Sequence, residues 1–90
     1  MRLDQFLRAS RLVLRRTVAQ ELCEAGAVLV GGVTARSSRA VRVGDEIRIE
    51  RRERLLTVRV LDVPTVRQTS KQAAGMLYEV VSDERRAENE

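Results

Sequence analysis

The feature that most constrains this chain is a change of hydrophobic period at Gly26. Before it, apolar residues recur three and four apart, as on one face of a helix; after it, they alternate, as along a half-buried strand. Leu3, Phe6, Leu7, Ser10 and Leu14 share a face of a helix predicted over 3–14, with Arg8, Arg11 and Arg15 beside that face. Val18, Ala19, Leu22, Cys23 and Ala25 form the apolar arc of a second helix over 16–25, with Gln20, Glu21 and Glu24 turned away. Gly26 stands where a left-handed residue ends such a helix.

Beyond Gly26 the pattern predicts short strands. Residues 27–30 (AVLV) pair with 33–36 through a two-residue Gly31-Gly32 turn, since both glycines accept positive φ. Ile47 and Ile49 alternate with charge up to Glu50, "RRER" (51–54) makes a hairpin tip, and 55–63 (LLTVRVLDV) forms a strand stopped by Pro64. Thr69 or Ser70 caps one helical turn through Ala74, and "MLYEVV" (76–81) is the last strand. The fold class is therefore α+β: two or three short N-terminal helices packed on a small, mostly antiparallel sheet. A single domain is expected over 1–83, with 84–90 a charged, disordered tail.

Composition narrows the chemistry. The chain has no histidine and one cysteine, Cys23, so the usual general base, the Cys–His and Ser–His nucleophile pairs and a disulfide framework are all missing. Its acidic residues are scattered rather than clustered for a hard cation. No catalytic residue, metal or cofactor is expected, and Cys23, inside an apolar arc, reads as an inert buried thiol. No apolar run approaches the roughly 20 residues that span a bilayer, and no signal-peptide core opens the chain, so a cytoplasmic protein without membrane contact is expected.

Net charge is +4, and Lys71 is the only lysine among 17 basic residues. Arginine's planar donor fork suits phosphate oxygens. Placement says more than number: Arg2, Arg8, Arg11, Arg15 and Arg16 surround the joint of the two predicted helices against one acid, Asp4, itself spaced for an i,i+4 pair with Arg8. Arg15 and Arg16 stand at a helix start, where unpaired N–H groups and the helix dipole favour an anion and a side-chain acceptor is normally found. The cluster points to nucleic-acid backbone. With only Phe6 and Tyr78 as aromatics there is no stacking platform for single strands, and Tyr78 reads as core. A reader of the backbone and shape of folded RNA fits best. The role of Arg36, Arg39, Arg42 and the 51–54 tip stays open, because strands also carry such charges against edge pairing.

"RLDQFL" at 2–7, "RRTVAQELCEAGAVLVGG" at 15–32 and "VRVGDEI" at 41–47 together resemble the S4 RNA-binding domain, departing from it where Arg15 replaces a Ser and Gly31 an Asn. With "SRLVLRRT" and "AAGMLYEVV", the whole chain is similar to the stand-alone, RqcP-type ribosome-associated quality-control members of that family. The resemblance implies a non-enzymatic factor on obstructed large ribosomal subunits, binding large-subunit rRNA and P-site tRNA as a monomer while an RqcH-type partner adds C-terminal alanine tails. It also implies an RNA-facing set of Arg2, Asp4, Arg11, Arg15 and Arg16, to which the helix positions Arg8, Thr17 and Gln20 are added. Two other readings remain: a recycling or assembly factor like the fifteen-kilodalton heat-shock relative, whose long basic extension contrasts with the mixed "DERRAENE" tail here, and a module docking its arginines on an acidic protein.

Overall fold

A computed structural model describes residues 1–65 and 70–85. Elements follow in the order α1 (Leu3–Ala9), α2 (Arg16–Glu24), β1 (Val28–Val30), β2 (Val33–Thr34), β3 (Glu46–Arg51), β4 (Arg54–Val60), α3 (Lys71–Ala74) and β5 (Tyr78–Arg85). The strands form one antiparallel sheet of order β2-β1-β3-β4-β5. This is the α+β arrangement the change of period predicts.

Strand alternation decides which face meets the helices. In β3 Ile47 and Ile49 are buried while Glu46 and Arg48 are exposed, and in β4 Leu56, Val58 and Val60 are buried. They form one core with Leu3, Phe6 and Leu7 of α1, Ala19 and Cys23 of α2, and Val28 and Val30 of β1. Cys23 is the buried thiol expected, and burial pushes its pKa up. Tyr78 is only half-buried at the core's margin.

The two helices end by the same device, with different legibility. Gly26 takes φ 74° and donates to the Cys23 carbonyl while Ala27 donates to Leu22, closing the last turn of α2. α1 stops at Ala9 rather than running to residue 14, because Arg11 takes φ 62° and donates to the Arg8 carbonyl. A left-handed arginine costs about 1–2 kcal/mol and gives no glycine signal, so the helical period seemed to run on. In consequence Leu14, expected on the buried face, is 74% exposed, and Val13 is buried in its place. Ala25, expected on the apolar arc of α2, is also exposed.

The C-terminal half differs in its boundaries. Ser70 caps α3 by accepting from the Ala73 N–H at 3.0 Å; Thr69, the other expected cap, lies outside the described residues. β2 is shorter than 33–36, and β4 stops at Val60, where Leu61 turns to donate to the Leu77 carbonyl. β5 starts later than expected and continues through Arg85, two residues into the expected tail, whose remainder lies outside the described residues. Its pairing holds because Asp83 receives a two-pronged bond from Arg54 at 2.8 and 2.9 Å across the strands.

Replacing Ile47 by Ala should cost about 2–5 kcal/mol in urea denaturation, whereas Val33→Ala, on a side chain facing solvent, should stay within about 0.5 kcal/mol.

Candidate nucleic-acid interface

The helix joint is organised by one carboxylate. Asp4 is completely buried, and its two oxygens accept from Arg2 Nε (3.2 Å) and Nη2 (3.4 Å), the Gln5 N–H (2.9 Å), Arg16 Nε (3.1 Å) and Gln20 Nε2 (3.0 Å). Three donors lie on or beside α1 and two on α2, so the carboxylate ties the helices together at their N-terminal ends. Burial by itself would raise the Asp4 pKa; the hydrogen bonds of Gln20 and Arg16 and the charges of Arg2 and Arg16 outweigh it and hold the group below its ordinary 3.8.

Asp4 was expected among the RNA-facing residues and facing Arg8. Neither holds: a carboxylate enclosed by five donors cannot reach a ligand, and its ion pairs go to Arg2 and Arg16. It positions the others. Gln20 is half-buried with its amide turned to Asp4, so it braces the joint. Arg2 and Arg16 keep side chains 44% and 42% exposed, and Arg16 spends only Nε on Asp4, leaving its terminal nitrogens outward.

The two helix starts differ. At α1 the Leu3 and Asp4 N–H groups donate to the Arg39 (2.8 Å) and Ser37 (3.1 Å) carbonyls, so the 37–40 loop closes that end and brings Arg39 beside Arg2. At α2 the cap residue is Arg15, whose side chain accepts nothing, and the N–H groups of Arg16, Thr17 and Val18 have no acceptor among the described residues. Arg15 and Thr17 are exposed at this open end and Arg8 is exposed in the last turn of α1; Arg8 and Arg15 form no ion pair among the described residues. Arg11, displaced from the helical face by its left-handed backbone, lies in the linker next to Arg15.

The sheet arginines behave otherwise. On the face away from the helices Arg59 bridges Glu46 (2.9 Å) and Glu79 (2.8 Å), and Arg48 meets Glu50 (3.5 Å). Arg51 is the exception. It continues the Ile47–Ile49 alternation onto the helix side and lines clefts with Leu12, Leu14 and Arg15. The sequence held the signal for this, since odd positions of β3 face the core, but a charge at a hairpin tip is more simply read as solvated.

Residues 1–47 match the S4 domain family. The chain is 40% identical to an RQC P-site tRNA stabilizing factor of Streptococcus pneumoniae, covering 99% of each, 46% identical to that of Halalkalibacterium halodurans over 93% of each, and 36% identical to that of Bacillus subtilis over 98% of this chain and 100% of that one. Among solved structures it is similar to trimeric Vibrio cholerae heat shock protein 15 (TM-score 0.81, 26% identity, 91% of this chain and 82% of that one). It is equally similar to the solution structure of a hypothetical protein, HP1423 (TM-score 0.80, 28% identity, 93% and 100%).

Asp4→Ala should cost about 2–3 kcal/mol, since charged hydrogen bonds across the joint are lost. Because the native pKa of Asp4 is lowered, its contribution is complete above pH 3.8 and is lost as pH falls through the native value. Acid denaturation of the parent chain should therefore steepen below that pH relative to Asp4→Asn.

Proposed function

The chain belongs to the S4-domain family of RQC P-site tRNA stabilizing factors, and on that premise we propose that it holds tRNA on the large ribosomal subunit by gripping RNA backbone, without catalysing a reaction. One observation carries the reading: Arg15 and Arg16 stand at the uncapped start of α2, Arg8 and Arg15 form no ion pair among the described residues, and Arg16 gives Asp4 only its Nε. Guanidinium groups and open backbone N–H groups are the two donors that phosphate oxygens take. Thr17, exposed in the first turn, adds a hydroxyl.

Phosphate contacts set position and carry no direct sequence information. A factor that must retain a tRNA of any identity needs this kind of grip, and a rigid joint lets one small domain touch rRNA and tRNA together. The RNA-binding set is accordingly Arg2, Arg8, Arg11, Arg15, Arg16 and Thr17, with Asp4 and Gln20 as positioning residues. The work is proposed to be cytoplasmic and done by a monomer, alongside an RqcH-type partner that builds the alanine tail. No helix among the described residues is long and apolar enough to cross a membrane.

Co-sedimentation with purified large subunits tests this. Arg15→Glu, on an exposed side chain, should abolish pelleting with little change in melting temperature. Arg16→Glu is a poorer test, because it would set a second carboxylate against Asp4 and unfold the joint. With about four to six phosphates neutralised, the log–log dependence of affinity on salt should have a slope on the order of −3 to −5. A slope near zero would overturn this reading, and association that survives nuclease would mean that the arginines meet an acidic protein instead.

A further inference from the structure

A shallow groove of about 440 Å³ opens between the α1–α2 linker and the end of β3. Leu12, Val13, Leu14 and Val18 line it together with Arg11, Arg15 and Arg51, and no carboxylate does. Leu14 is the unusual member. It is 74% exposed, lifted out of the core because α1 ends early, and shares the groove with Arg11, Arg15 and Arg51. A solitary exposed leucine is ordinary. An exposed leucine in an apolar-lined groove that three arginines share combines two chemistries, and phosphate alone uses only one of them.

A nucleotide has both halves. In an A-form duplex the base faces are stacked away and the major groove is too deep and narrow for side chains, so only an unstacked nucleotide offers an apolar face together with its phosphate. We propose that this groove takes one unstacked nucleotide of the bound RNA, its base against Leu12, Leu14 and Val18 and its phosphate between Arg15 and Arg51. The inference rests on the RNA-binding reading, with which the groove is continuous through Arg15. It extends the interface to Arg51, at the end of β3. An acidic peptide would satisfy the two arginines, but its carboxylates have no use for the exposed leucine.

Two labelled RNA hairpins with equal numbers of phosphates, one perfectly paired and one carrying a single bulged nucleotide, test the groove on the full chain. The parent chain should prefer the bulged hairpin by about tenfold. Leu14→Ser, on a side chain facing solvent, should remove that preference while changing affinity for the paired hairpin by less than about twofold. Arg51→Gln should lower the salt slope on the bulged hairpin by about 0.7–0.9 and leave it unchanged on the paired one. Equal binding of both hairpins by the parent, a preference that survives Leu14→Ser, or tighter binding of a glutamate-rich peptide than of the bulged hairpin would each overturn the groove assignment. Failure to bind either hairpin would instead bring down the RNA-binding reading along with it.

Discussion

A single buried carboxylate makes the helix joint possible. Five arginines crowd the first 16 residues, and without a counter-charge they would push the two helices apart. Asp4 draws in Arg2 through Nε and Nη2 and Arg16 through Nε, and takes up Gln20, so that like charges become part of one hydrogen-bonded unit. Burying a carboxylate is costly unless it is hydrogen-bonded and paired, and here every oxygen is satisfied. The guanidinium planes are thereby fixed before any ligand arrives. That preorganisation avoids the entropy cost of ordering long side chains at the moment of binding.

Charge is then divided between the two sides of the sheet. Of the arginines facing away from the helices, Arg59 is met by Glu46 and Glu79 on the neighbouring strands and Arg48 by Glu50 on its own, while Arg8 and Arg15 on the helix side meet no acid among the described residues. Exposed pairs of the first kind add little stability, typically under about 1 kcal/mol each. Their consequence is to cancel positive charge where it serves no ligand. A net charge of only +4 therefore understates how basic the helix joint is. The basic character of the helix joint follows from where charge is left uncancelled rather than from how much there is.

Several elements were legible because each depends on local chemistry. Gly26 ends α2 as expected, Gly31 and Gly32 make the hairpin turn with φ 61° and 84°, and Ser70 caps α3. The readings that failed depend either on a backbone conformation that the residue type does not announce or on chain atoms distant in sequence. α1 seemed to continue to residue 14 because Leu14 keeps the period, yet an arginine in a glycine's conformation at position 11 breaks it. Asp4 and Arg8 had ideal helical spacing, but Arg16 and Gln20, 12 and 16 positions away, took the carboxylate instead. β5 outran its apolar stretch because Asp83 finds Arg54 on β4, 29 residues earlier.

The sequence by itself determined the class of fold, the order of its elements and the gathering of arginine around one acid, since periodicity, turn residues and local charge density are written in neighbouring positions. The family could be recognised on the same grounds, and its relatives bear that out over nearly the whole chain. Only the tertiary structure decided which arginines are held and which are open, that Asp4 is a strut rather than a contact, and that Arg51 joins Arg15 at one groove. Those outcomes are set by competition among donors for a few acceptors in three dimensions, and spacing along the chain does not say which donor wins.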